Sequence, residues 1–178
     1  MTRNDLALRH VLLTATRDLH DELDHRVGDF SDADGYGAFL AGGHAFRAAL
    51  EPALMGHGDW PVQPLAGLIG QDLADLGRSR PSPLRAPDLS GPAARAAACY
   101  VLEGSALGAR LLARRAAALG FDGHHGARHL AAQTADRQRW PRFLDWLERA
   151  EVSRPDAARA ARAVFALALR AYGARAAA

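Results

Sequence analysis

The chain has no lysine: all 22 basic residues among its 178 are arginine. Alanine is abundant at the same time, so the bias reflects the base composition of the source genome before any selection on charge. Twenty acidic residues bring the formal net charge to only +2, and the calculated pI near 9.2 therefore marks no nucleic-acid-binding surface. Cysteine occurs once, at Cys99. That excludes an internal disulfide and any multi-thiolate metal site, and leaves Cys99 as a small buried core residue. No run of eighteen apolar residues is present, and the N-terminus lacks the basic-then-apolar layout of a signal peptide. Neither a membrane span nor export is expected, which makes the cytoplasm the expected location. Alternating strand patterns are absent as well.

What remains is helical periodicity, which predicts an all-α bundle, with a single domain over residues 1–178. Apolar residues recur at helical spacing from Leu6 to Val27 and from Tyr36 to Leu54, the second segment opened by Ser31, Asp32 and Asp34. A third helix is expected from Pro64, as a first-turn proline, to a C-terminal cap at Gly77. Pro81, Pro83 and Pro87 predict an irregular loop over Arg78 to Ser90. Ser90, Gly91 and Pro92 then start the longest helix, expected to run to Gly120. A Gly- and His-rich link from Phe121 to Gly126 precedes two more helices, one ending near Ala150 and one opened by Ser153 with Pro155 in its first turn. Self-similarity at periods of twenty to fifty residues is absent, so this is a bundle and not a repeat array.

Within the longest helix, Tyr100 to Gly108 reads Tyr-Val-Leu-Glu-Gly-Ser-Ala-Leu-Gly. A glycine in a helix interior costs roughly 1 kcal/mol against alanine, so a pair of them needs a reason. Gly104 and Gly108 share one face with Ser105 and Ala109 beside them, and such a face admits either another helix or a planar ligand. On the first helix, Leu13, Thr16, His20, Leu23 and Val27 follow a 3-4-3-4 spacing that predicts one inward stripe, with His20 facing the core. An inward histidine is a hydrogen-bonded core residue or a ligand. Asp24, one turn on, is placed to accept the Nδ1 proton and leave Nε2 free, or else belongs to a solvated acidic face with Asp21 and Glu22. His25, His124 and His125 read as solvated, and His10, His44, His57 and His129 have no partner spacing.

Ala15 to Asp24, Tyr36 to Leu40, Tyr100 to Gly108 and Arg139 to Leu144 together resemble the biliverdin-producing heme oxygenases, and most of all the bacterial group found with bacteriophytochromes. The similarity runs in order from about Leu8 to Phe165. It implies that His20 is the proximal iron ligand, supported by Asp24, and that Gly104 and Gly108 of a kinked distal helix let heme approach the backbone and leave room for dioxygen. Ser105 stands where much of the wider family has an aspartate that organises distal water, so proton delivery would rely more on water and backbone carbonyls. The motif also puts Tyr100 among the heme contacts. Heme would be both cofactor and substrate, opened with dioxygen to biliverdin, carbon monoxide and iron. Electrons would come from a ferredoxin or a flavin reductase, and a phytochrome would use the product; no nucleic acid and no membrane is implied as a partner.

Two basic positions that the family uses for the heme propionates fall on Leu13 and Pro141, and the second glycine of the usual Leu-Gly-Gly is Ala109. Arg137 keeps a matching charge, and Arg9, Arg17 and Arg139 are near enough to substitute, Arg17 being the first-helix candidate. These departures sustain a second reading, a catalytically weak or inactive relative that binds heme or a protein. A di-iron oxidase of similar fold is disfavoured, because the chain has five glutamates and a single Glu-x-x-His, Glu22 to His25.

Overall fold

The all-α expectation holds. In the computed structural model, which describes residues 7–27, 30–57 and 60–173, helices dominate and no strand occurs among the described residues beyond an isolated bridge between Asp122 and Gly126. The first six residues, part of the N-terminal stretch read above, lie outside that description. The helices are α1 (Leu8–Val27), α2 (Ala33–Leu54), α3 (Ala66–Asp75), α4 (Pro92–Gly104), α5 (Ala106–Ala118), α6 (Arg128–Ala135), α7 (Arg139–Arg149) and α8 (Arg154–Gly173).

Three boundaries differ from the sequence reading. The long helix expected from Ser90 to Gly120 breaks at Ser105 into α4 and α5, and the helix expected to end near Ala150 is two, α6 and α7, parted by a turn at Asp136 to Gln138. Pro64 precedes α3, which starts at Ala66 because its first amides are taken by a carboxylate from elsewhere. Other punctuation is as expected. Asp32 caps α2, its Oδ1 accepting from Gly35 N at 2.7 Å, and Gly77 closes α3 at φ +67 with Arg78 N donating to Leu73 O.

The floor of the bundle is α8, on which α1, α2 and α4 all lie, while α7 backs both α1 and α4. α3 packs on α2, and α6 joins α3 to α5. The core forms two clusters. One gathers Leu12, Phe46, Leu50, Leu102, Phe143 and Val164, and includes buried Cys99; the other gathers Tyr36, Leu40, Ile69, Leu73 and Leu130. At Gly42 of α2 an added Cβ would stand 2.5 Å from the Tyr172 ring of α8. Here the absence of a side chain serves packing.

Three helix starts are capped by carboxylates from other helices. Glu148 of α7 accepts from Leu8 N at 3.1 Å and Arg9 N at 3.3 Å. Glu51 of α2 accepts from Leu65 N and Ala66 N, and Asp72 of α3 accepts from Arg128 N and His129 N. Leu65 and Ala127, at the N-cap positions of α3 and α6, supply no side-chain cap themselves, so each distant anion meets free amides and the positive end of a helix dipole.

Buried His129 completes the α3–α6 joint, with Nδ1 donating to Asp72 Oδ2 at 2.7 Å. Burial lowers the His129 pKa, Asp72 pulls it back, and the nearby Arg47 guanidinium lowers it further. Burial pushes the Asp72 carboxyl up, yet the His129 ring and the two backbone amides hold it below its ordinary value. Buried His44 is likewise lowered, by burial and then by Arg80, against Glu51. A histidine with a depressed folded pKa contributes its full stability above the unfolded value of about 6.5 and loses it as pH falls through the folded value; Asp72 follows only below about 4. The melting temperature of the ligand-free protein should therefore fall between pH 7.5 and pH 5. His129→Asn, which can still donate to Asp72, should flatten part of that fall, and the remainder should follow His44. A pH-independent melting temperature over that range would contradict the assignment.

Candidate active site

α8 determines which face of α1 is covered. The buried stripe runs through Leu8, Leu12 and Thr16 and continues in half-buried Leu19 and Leu23. The expected inward stripe thus holds at Thr16 and Leu23 and fails at Leu13 and His20, whose places are taken by Leu12 and Leu19. Leu13 is 48% exposed and the His20 side chain 58% exposed, so His20 does not face the core. It stands at the rim of α1 with its ring 5.9 Å from Phe165. Asp24, one turn on, lies beside it with Oδ2 3.2 Å from His20 Nδ1. A carboxylate on that side favours the proton on Nδ1, which would leave Nε2 available to a ligand.

α1 and α4 both rest on α8 and α7 without packing along each other, and α4 leads directly into the break. An added Cβ at Gly104 or at Gly108 would meet nothing within 4 Å. That removes a packed helix as the use of this glycine face, since a helix partner would stand in that space as Tyr172 stands at Gly42. Leu107, 65% exposed, and Leu111, 51% exposed, share the face. Two of the large apolar side chains left in the open thus flank the glycines, and a third, Leu13, is seven residues from His20 on α1. An apolar, side-chain-free face together with a histidine that keeps one ring nitrogen uncommitted suits a flat, largely apolar metal chelate such as heme.

The polar side of the break is closed from behind. Ser105 Oγ donates to Leu102 O at 2.6 Å and accepts from Arg47 Nη2 at 3.3 Å. Buried Arg47 also donates to Glu51 Oε1 at 3.1 Å. One residue before the first glycine, Glu103 accepts from Trp60 Nε1 at 2.9 Å and from Arg139 Nη2 at 2.6 Å, with the guanidinium 5.3 Å over the Trp60 ring. Between these two anchors lies a cavity with room for about one water, lined by Arg47, Gln63, Glu103, Gln133 and Arg139. Arg47, Glu51 and Gln133 were not identified from sequence. The available signal was Arg47 and Glu51 one turn apart inside an otherwise apolar, glycine-rich helix.

The remaining candidates separate. Tyr100 is half-buried with its ring 6.2 Å from Trp140, and burial raises its hydroxyl pKa. Arg139 is engaged with Glu103 and is not free to meet a propionate, and Arg9 is beside Glu148 at 3.9 Å. Arg17 and Arg137 are exposed and form no ion pair among the described residues. Among those residues no cluster of three histidine, cysteine or acidic side chains could hold a metal.

Opposite outcomes are expected at the two kinds of glycine. Gly104→Ala and Gly108→Ala should each raise ligand-free stability by up to about 1 kcal/mol, since helix propensity improves and nothing is struck. Gly42→Ala should lower it by about 1–3 kcal/mol through overpacking on Tyr172. Thermal melts of the three variants check this, and a loss at Gly108 would reinstate helix packing there.

No protein-family model matches the chain. It is 34% identical to heme oxygenase PigA of Pseudomonas aeruginosa, over 85% of this chain and 82% of that protein. The solved NO- and CO-bound heme oxygenase of Neisseria meningitidis matches with a TM-score of 0.79 and 26% identity, over 97% of this chain and 96% of that one. Identity of this order along most of both chains, on helices that superpose nearly end to end, is a family relation and not a convergent bundle, and the chain belongs to the heme oxygenase family.

Proposed function

We propose that the protein opens heme to biliverdin, carbon monoxide and iron, using dioxygen and external electrons, between α1 on one side and α4 with α5 on the other. Membership in the heme oxygenase family supports the reaction. The observation that supports the location is the open space over Gly104 and Gly108. Bound heme supplies the iron that takes up dioxygen and the porphyrin edge that is cut. The protein's part is to hold, orient and exclude.

In this reading His20 Nε2 would hold the iron, with Asp24 beside Nδ1 at 3.2 Å to orient the ring. The glycine face of α4 and α5 would cover the heme without side chains to strike it, and Leu13, Leu107 and Leu111 would lose their exposure against it, each worth up to about 1.5–3 kcal/mol when fully buried. Arg17 and Arg137 are available for the propionates, replacing what Leu13 and Pro141 lack. Tyr100 borders the site from α4. The Ser105 hydroxyl is already donated to Leu102 O, so its part is to hold the break, and the proton is carried by water admitted beside it. Electrons come from a ferredoxin or a flavin reductase, and a phytochrome takes the biliverdin. The family relation disfavours the inactive binding module.

The deciding experiment mixes heme, the protein and an electron source under air. Loss of the Soret band with rise of long-wave bilin absorption is expected, and a Soret band that persists with several donors would reject the reading. His20→Ala should abolish the native ligation spectrum with cooperative unfolding retained. Gly108→Leu should weaken heme binding or stop turnover without loss of ligand-free stability. Unchanged spectrum and affinity in His20→Ala would remove the ligand assignment.

A further inference from the structure

A helix break has a cause, usually proline, a Gly/Ser pair or a group inserted into the hydrogen-bond ladder. The α4–α5 break has no proline and falls at the Gly104–Ser105 pair, with Gly104 not among the glycines at positive φ and Ser105 itself at φ −60 and ψ −21. Inserted side chains are present there as well. In an unbroken helix Ala106 N would donate to Leu102 O. Here Leu102 O accepts from the Ser105 hydroxyl at 2.6 Å. The Gln133 amide oxygen, in the orientation that faces donors, lies 3.3 Å from Ala106 N and 3.3 Å from Arg47 Nη2. Ser105 Oγ, 2.9 Å from that oxygen, has one proton for it and Leu102 O to share. Two side chains thus lie at the two ends of one backbone bond that the break lacks, and a buried guanidinium stands between them.

From this we propose that Gln133, held by Arg47, is a positioning residue for the heme reaction: it sets where the distal helix breaks, and so how the Gly104–Gly108 face lies over the porphyrin. The inference rests on the heme reading above. Gln133 reaches the break from α6, which Asp72 fixes to α3, and Arg47 reaches it from α2, where Glu51 fixes both Arg47 and the start of α3. The ceiling is registered to the interior by these groups and not by contacts on its ligand side.

Arg47→Met would strand the Glu51 carboxylate, so the test begins with Gln133→Leu, with Gln133→Glu as the conservative variant that keeps an oxygen for Ala106 N and Arg47. In ligand-free protein, amide exchange over residues 106–110 should accelerate about tenfold in Gln133→Leu, the equivalent of one hydrogen bond, with residues 164–169 of α8 unchanged. In the heme-loaded protein the ratio of biliverdin isomers should change more than heme affinity does. Gln133→Glu should restore both readouts. Wild-type exchange over 106–110 in Gln133→Leu, an equal acceleration in α8, or failure of Gln133→Glu to restore would overturn the proposal. If Gln133→Leu does not fold, Gln133→Asn, which shortens the reach, is read in the same way. Absence of biliverdin from the wild type would count against the functional reading alone, because the exchange result is obtained without heme.

Discussion

The Glu51 carboxylate is the constraint on which the rest of this structure depends. It is buried, accepts from the first amides of α3, and neutralises Arg47 one turn back along α2. An isolated charge at that depth would be strongly unfavourable, and removing one partner of such a pair typically costs about 3–5 kcal/mol. Its geometry is therefore held tightly. Asp72 repeats the device between α3 and α6, and Glu148 between α7 and α1. The bundle is registered by anions at helix starts as much as by its apolar core, and this register carries through Arg47 and Gln133 to Ser105.

That arrangement divides the molecule mechanically. On the α2–α8 side, Gly42 meets the Tyr172 ring with no spare room, and the helices are close-packed. On the α4–α5 side, the helix is gripped only from behind, and its glycine face meets no protein atoms. A reacting plane against that face needs a surface that is fixed in place yet carries nothing to strike. Side-chain anchors behind the break satisfy both demands, which packing in front of it would not.

Much of the fold was legible because it follows local rules: helix period, the Asp32 cap, Gly77, the proline loop and the start of α8 are each written within a few residues. The glycine pair was legible as an anomaly, but its use was not, since Gly42 and Gly108 look alike until a neighbour is placed beside each. His20 was legible as a candidate but wrongly turned, since its side chain is exposed at the rim of α1. A 3-4-3-4 pattern fits two adjacent stripes on α1 equally well, and the choice between Leu12 and Leu13 as the inward residue is made by α8. Arg47, Glu51 and Gln133 escaped because, beyond the Arg47–Glu51 pair one turn apart, their partners lie 14 or more positions away in sequence, beyond any local capping rule. Arg139 was misjudged for the same reason: proximity along the chain suggested a ligand, while Glu103, 36 positions earlier, had already engaged it.

The Glu148 cap on α1 also has a consequence for the order of assembly. Its bond to Leu8 N spans 140 positions, and α1 lies on α8, the final helix. Contacts this distant in sequence close late and slow folding. As the chain leaves the ribosome, α1 is made well before α7 and α8 and has no seat until both have emerged. Until then its buried stripe has nothing to lie on, and its docking is among the last events that complete the bundle.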